Sequence, residues 1–117
     1  MPGFRRIGDA AEQRAVDFLL ENGYSIVKRN YKKGDSEIDI IAMDNEEIVF
    51  IEVRSRKQNA WETAEESITT SKQKRLWKTA EQYLADTENI DHPCRFDVIA
   101  INGENLTHYK DAFRPMP

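Results

Sequence analysis

The segment Glu47–Arg54 constrains the fold of this chain more than any other. It reads Glu-Ile-Val-Phe-Ile-Glu-Val-Arg, with five apolar residues in almost unbroken succession. A strand with one wet face alternates apolar and polar residues, whereas a nearly continuous apolar run is typical of a strand covered on both faces. The sequence therefore predicts a central strand with helices packed on both sides of its sheet.

The other elements are predicted from residue periodicity and turn-forming residues. Amphipathic helices are expected over Asp9–Asn22, where Asp9 is the expected N-cap, and over Ser71–Ala85. Five strands are expected, at Tyr24–Asn30, Glu37–Met43, Glu47–Arg54, Phe96–Ile101 and Leu106–Tyr109. The order helix, three strands, helix, two strands predicts one α/β domain over residues 1–117. It has an antiparallel N-terminal meander in a mixed central sheet, with helices on both faces.

Cysteine content and hydropathy limit the class of protein. Cys94 is the single cysteine, so the chain can form neither an internal disulfide nor a thiolate zinc cluster. Its apolar runs reach four residues at most, far below the ~20 that span a bilayer, and no signal peptide is recognisable. A cytoplasmic protein with no membrane association is expected.

The charges are segregated along the chain. The net charge is −4, which by itself argues against a polyanionic partner. Most basic residues nevertheless lie in three short segments, Lys28–Lys33, Arg54–Lys57 and Lys72–Lys78, whereas the acids gather elsewhere. Such segregation can produce one phosphate-binding face on an acidic protein. Charge runs alone more often form ordinary solvated surface, so this pattern does not decide between the two.

Two acidic residues interrupt apolar strands. Asp39 lies between Ile38 and Ile40, and Glu52 interrupts the central strand. A carboxylate near a sheet interior loses hydration and needs a compensating partner. Because their strands should form one hairpin, the two acids can converge, and Arg54 shares a face with Glu52.

This set of two acids and one cation suits phosphodiester hydrolysis. Mg²⁺ or Mn²⁺ would be held by Asp39, Glu52 and the Val53 carbonyl, since Mg²⁺ takes one or two carboxylates and keeps several waters. Such an ion polarises the phosphoryl oxygen and acidifies a bound water, and Arg54 would stabilise the developing charge. The alternative is a structural ion pair between Arg54 and an acid, and the spacing leaves both open.

Several motifs in this chain resemble those of one family. The stretches Ser-Glu-Ile-Asp-Ile-Ile-Ala at 36–42 and Phe-Ile-Glu-Val-Arg-Ser-Arg at 50–56 resemble the "GEIDLIA … FVEVKxR" signature of the YraN-like family. Further blocks, in the same order along the chain, are Gly-Asp-Ala-Ala-Glu at 8–12, Lys-Gln-Lys-Arg-Leu at 72–76 and Arg-Phe-Asp-Val at 95–98. That largely uncharacterised family belongs to the restriction-endonuclease-like superfamily. It is similar to archaeal Holliday junction resolvases and RecB-type nuclease domains.

The resemblance implies a role for individual residues. It implies that Asp39 and Glu52 are metal-binding acids, that Glu12 completes the acidic cluster, and that Lys72 contacts phosphate. Glu12 also fits the third position of a helix capping box, so its role stays open. Arg54 stands where the family has lysine, and arginine stays charged and cannot carry a proton. Lys32, Lys33, Arg56 and Lys74, which lie in the basic segments, are further candidates for binding nucleic acid.

Three functions follow as hypotheses. The first is a nucleic-acid-binding protein with a metal-dependent, endonuclease-like phosphodiesterase site, for which the resemblance to the resolvases implies branched DNA as a substrate. The second is a nuclease fold that binds nucleic acid without cleaving it, which the arginine at position 54 favours. The third is an interaction protein whose acids form structural ion pairs. A homodimer is implied by resemblance to the resolvases, which must address two strands.

Overall fold

Five strands form one mixed sheet in the computed structural model, which describes residues 7–56 and 68–115. The elements are α1 (Ile7–Glu21), β1 (Ser25–Lys33), β2 (Ser36–Asp44), β3 (Glu47–Arg56), α2 (Thr70–Asp86), β4 (Cys94–Asn102) and β5 (Asn105–Tyr109). The strand order across the sheet is β1-β2-β3-β4-β5. β1, β2 and β3 form an antiparallel meander, β4 runs parallel to β3 after α2, and β5 returns antiparallel. The predicted mixed sheet and order of elements are confirmed.

Among the described residues, one helix packs on each face of the sheet. α2 packs Leu76, Trp77 and Ala80 against Phe50 and Phe96, and all five side chains are buried. α1 covers the opposite face in a second apolar cluster, whose buried members include Ala15, Leu19, Val49, Ile51 and Ile99. Burying one large apolar side chain contributes about 1.5–3 kcal/mol, so β3, buried on both faces, anchors the fold. The coverage predicted from its apolar run is confirmed.

The observed elements differ from the predicted ones mainly at their ends. β1 continues to Lys33 because Lys32 and Lys33 still pair with Glu37 and Ser36 in the hairpin, which polar side chains do not reveal. The expected N-cap at Asp9 is wrong, since α1 begins two residues earlier at Ile7.

The C-terminal end of α1 agrees with the prediction from the sequence. Gly23 ends α1 as predicted, with a φ of 87° that lets the Tyr24 N–H donate to the Leu19 carbonyl at 3.0 Å. Within residues 7–56 and 68–115, no helix has the length and apolar composition needed to cross a membrane.

Candidate functional site

The candidate site lies where β2 and β3 stop pairing. Their register runs from Asp44 opposite Glu47 to Ile40 opposite Ile51. Asp39 is the next residue along β2. Instead of continuing the ladder there, its Oδ2 accepts a hydrogen bond from the Val53 N–H at 2.8 Å. The Asp39 side chain therefore takes the place of a backbone acceptor for the Val53 N–H. Asp39 belongs to β2 and Val53 to β3, so both ends of this hydrogen bond lie on strands.

The backbone around Asp39 is irregular. Ile40 packs on the α1 side of the sheet, and strict alternation would place Ile38 there too, yet Ile38 packs on the α2 side. In β1, Arg29 pairs with Ile40 and Tyr31 pairs with Ile38. Asn30 lies between these two residues and has a φ of 55°. The break in alternation on both strands lets groups from both faces approach Asp39.

Asp39 and Glu52 form a pair of carboxyl groups in contact. Burial raises the pKa of Asp39 to about 8, and the negative charge of Glu52 adds to the increase, while the Val53 N–H opposes it. Protonated Asp39 also donates a hydrogen bond to Glu52, whose residue is only 4% exposed. Two carboxyl groups this close resist simultaneous ionisation, so a positive charge placed beside Asp39 would lower its pKa.

Two cationic side chains contact Glu52, at different distances. Lys72 Nζ lies 3.0 Å from Glu52 Oε2, and Arg54 Nη1 lies 3.6 Å from the same oxygen. Lys72 stands in the first turn of α2, where its backbone N–H donates to the N-cap side chain of Thr69 at 3.2 Å. Position 54 has arginine where the family has lysine, but a lysine from α2, Lys72, contacts Glu52 instead. Lys72 lies twenty residues after Glu52 in the chain.

Glu12 approaches the site from the α1 side. Its Oε1 accepts from Arg29 Nε at 3.1 Å and from Asn30 Nδ2 at 3.2 Å, and Arg29 Nη2 lies 3.0 Å away. Its negative charge also raises the pKa of Asp39. The capping-box alternative is wrong, because Glu12 lies in the second turn of α1 and its carboxylate binds the β1 residues instead.

The acids suit a hard divalent cation that is bound through few protein ligands. In the described part of the chain, no three Asp, Glu, His or Cys side chains are grouped so that they could hold a metal ion together. A pair of carboxylates is nevertheless the usual protein contribution to a Mg²⁺ site, where waters and substrate phosphate complete the coordination. Asp39 and Glu52 supply that pair, and a bound cation would lower the raised pKa of Asp39 and let both carboxyl groups ionise. The Val53 carbonyl stays a predicted ligand.

The predicted basic residues do not all lie at this site. Lys72 lies within it. Lys33 is exposed at the β1–β2 turn and pairs with Asp86 at 3.2 Å. Lys32 is exposed opposite Glu37, and Lys74 is exposed near Trp77 on another flank of α2. Arg56 ends β3, and its side chain lies outside the described residues.

A third strand acid escaped the sequence analysis. Asp97 interrupts β4 as Glu52 interrupts β3, and it is fully buried. Its oxygens lie 2.9 Å from Arg95 Nε, 2.8 Å from His108 Nε2 and 2.9 Å from the Asp111 N–H. The apolar context of Asp97 was a sufficient signal, since it is the same signal that selects Asp39 and Glu52.

Comparison with known proteins gives one consistent family. The sequence model described as "Uncharacterised protein family UPF0102" matches residues 11–101. A UPF0102 protein of Symbiobacterium thermophilum is 43% identical over 97 residues, covering 83% of this chain and 82% of the relative. Relatives of the same description in Hahella chejuensis (44% identical, 92% and 89% covered) and Bacteroides thetaiotaomicron (39%, 98% and 98%) are similar over nearly their whole length.

Proposed function

This chain belongs to the uncharacterised protein family UPF0102, which is the YraN-like family expected from its motifs, and we propose that it is a metal-dependent phosphodiesterase acting on nucleic acid. The observation that carries the proposal is the carboxyl pair of Asp39 and Glu52 with Lys72 against it, at the end of a strand ladder. We also propose that its mixed sheet with a helix on each face is the restriction-endonuclease-like fold.

The chemistry assigns a separate task to each group. Asp39 and Glu52 would hold the cation, with Asp39 kept in place by the Val53 N–H. When bound, Mg²⁺ or Mn²⁺ would polarise the scissile phosphate and acidify an attacking water. Lys72 would stabilise the negative charge that develops on the phosphoryl oxygens as the water adds and the sugar oxygen departs.

Lys72 also answers the objection that Arg54 raises. Arginine stays protonated and cannot pass a proton, whereas lysine is a compact charge whose proton can be transferred. Lys72 lies nearer to Glu52 than Arg54 does, at 3.0 Å against 3.6 Å. Arg54 would then hold Glu52 or the phosphate, and Lys72 would take the part expected of a lysine at position 54.

Cleavage of a nucleic-acid panel tests the proposal. The panel comprises duplex, single strand, flap, four-way junction and RNA, each with Mg²⁺, with Mn²⁺ and with EDTA. We expect metal-dependent cleavage that falls about 100-fold or more in Asp39→Asn and in Glu52→Gln. Asp91→Asn and Glu81→Gln make the same chemical changes at exposed positions and should leave the rate unchanged. Cleavage that survives both site substitutions would place the reaction elsewhere.

Binding without cleavage would select the second hypothesis, a nuclease fold that only holds nucleic acid. That outcome is separable because the panel also reports affinity in EDTA. The homodimer stays a prediction, and the sedimentation coefficient of the protein with and without a four-way junction measures it directly.

A further inference from the structure

We propose that a groove between the β1–β2 turn and α2 binds backbone phosphates of the nucleic-acid strand that enters the Asp39–Glu52 site. The inference rests on the proposed function and extends it to a second contact. Residues 33–36 of the turn form one wall of the groove, and Arg75, Lys78, Thr79 and Gln82 of α2 form the other. The space between them is about 370 Å³, room for a small part of a polymer and far too small for a duplex.

The charge of the groove identifies the chemistry of its ligand. Lys33, Arg75 and Lys78 line it against a single carboxylate, Asp35, although the chain as a whole has a net charge of −4. Asp86, beyond the lining, pairs with Lys33 at 3.2 Å, so Arg75 and Lys78 carry most of the positive potential. Lys78 is exposed, and its ammonium group can reach a ligand without loss of packing. A cationic groove on an acidic protein favours a polyanion.

Both walls of the groove lead to the candidate site. Thr79 lies seven residues after Lys72, which is two helical turns on the same face of α2 and about 10 Å along its axis. Ser36 begins β2 three residues before Asp39, again about 10 Å of extended chain. Groove and site are therefore close enough for one short segment of a nucleic-acid strand to contact both.

The groove was only partly foreseen from the sequence. Lys33 was a candidate for binding nucleic acid, but Arg75 and Lys78 were simply members of a basic segment. Their juxtaposition with the turn depends on α2 packing across β1 and β2, which the local sequence of α2 does not encode. Lys74, also a candidate, does not line the groove but a neighbouring part of the α2 surface, and Lys78 borders both.

A matched pair of charge reversals tests the groove. Lys78→Glu acts within it, whereas Lys110→Glu makes the same change at an exposed position after β5, at the opposite edge of the sheet. Affinity for labelled single-stranded and duplex oligonucleotides is measured by fluorescence anisotropy in EDTA, across a salt series. We expect Lys78→Glu to weaken binding about fivefold or more and to flatten the salt dependence, and Lys110→Glu to change affinity less than twofold.

The two oligonucleotides separate the forms of the ligand. A larger loss for the single strand supports threading of one strand through the groove, and an equal loss for both supports contact with the backbone of either form. Equal weakening by Lys78→Glu and Lys110→Glu would mean general attraction only and would overturn the groove. So would an unchanged affinity of Lys78→Glu. Lys78→Gln, which removes the charge without reversing it, should give an intermediate loss, and circular dichroism checks that both variants fold.

The groove and the proposed reaction fail separately. If Lys78→Glu weakens binding but no substrate is cleaved with any metal, the groove stands and the phosphodiesterase falls. If the parent cleaves and Lys78→Glu binds like the parent, the reaction stands and the groove falls. A parent that binds no nucleic acid in any form overturns both.

Discussion

Two carboxyl groups of one sheet, fully buried Asp97 and half-buried Asp39, have opposite environments. Asp97 on β4 receives hydrogen bonds from Arg95, from His108 and from the Asp111 N–H. Burial alone would raise its pKa, but these donors together hold the pKa of Asp97 below its ordinary value. Asp39 on β2 has one backbone donor and a second carboxyl group against it, and its pKa rises to about 8.

The difference separates an acid whose hydrogen bonds are supplied within the fold from the acid that we propose as a cation ligand. The surroundings of Asp97 extend outward, because Arg95 also contacts Glu47 at 2.6 Å and Tyr24 Oη at 2.9 Å. That network ties β4 to the segment between α1 and β1 and to β3. At Asp39 the protein places two acids where a hydrophobic or neutral pair would be more stable, an arrangement expected where a cation or substrate completes the site.

The largest effect on stability is expected at Asp97. Asp97→Asn removes the fully buried partner of the Arg95–Asp97 ion pair, so we expect the free energy of unfolding to fall by about 3 kcal/mol in urea at pH 7. Because the folded pKa of Asp97 is lowered, its contribution is complete above the ordinary value of 3.8 and is lost as the pH falls below it. The gap between parent and variant should therefore close in acid. Asp91→Asn, at an exposed position, is the control, and a loss equal to that control would contradict a structural role for Asp97.

The opposite sign is expected at Asp39. Its folded pKa is raised from 3.8 to about 8, so the metal-free fold takes up a proton, and its stability falls as the pH rises between these values. Asp39→Asn removes this penalty and should stabilise the protein in EDTA by about 2 kcal/mol at pH 8, while abolishing cleavage. The two proteins should be equally stable below about pH 4. Destabilisation by Asp39→Asn at every pH would assign Asp39 the same kind of role as Asp97.

Divalent cations should stabilise the protein through Asp39 and Glu52 and not through Asp97. At ten times its dissociation constant, Mg²⁺ bound only to the folded state stabilises it by about 1.4 kcal/mol. We expect such a rise in thermal stability for the parent and for Asp91→Asn, and none for Asp39→Asn or Glu52→Gln. Calcium, with the same charge and a preference for oxygen ligands, should give a similar rise without supporting cleavage. An equal rise in all four proteins would show that the cation binds elsewhere.

The fold was more accessible from the sequence than the site was. The apolar run around Phe50 requires cover on both faces, and helical periodicity locates α1 and α2, because these signals are local. Asp39 and Glu52 stand out as acids in apolar strands, but Asp97 has the same apolar context and was not among the predicted site residues. What separates the three acids is their partners, and these come from elsewhere in the chain: Lys72 from α2 contacts Glu52, and His108 from β5 contacts Asp97. The spacing of residues along one sequence does not predict which distant residues come into contact.

The smallest effect on stability, and the most informative one for mechanism, is expected at Lys72. Its side chain is about one third exposed, so its pair with Glu52 should contribute less than about 1 kcal/mol to folding. Lys72→Met should nevertheless lower the cleavage rate about 100-fold, because a positioned cation is lost where negative charge develops. Lys72→Arg restores charge but no transferable proton, and would recover the affinity for nucleic acid more than the rate. Arg54→Met is the matched comparison at the second cation. If Arg54→Met abolishes cleavage while Lys72→Met leaves the cleavage rate unchanged, Arg54 is the catalytic cation. The assignment of that role to Lys72 is then wrong.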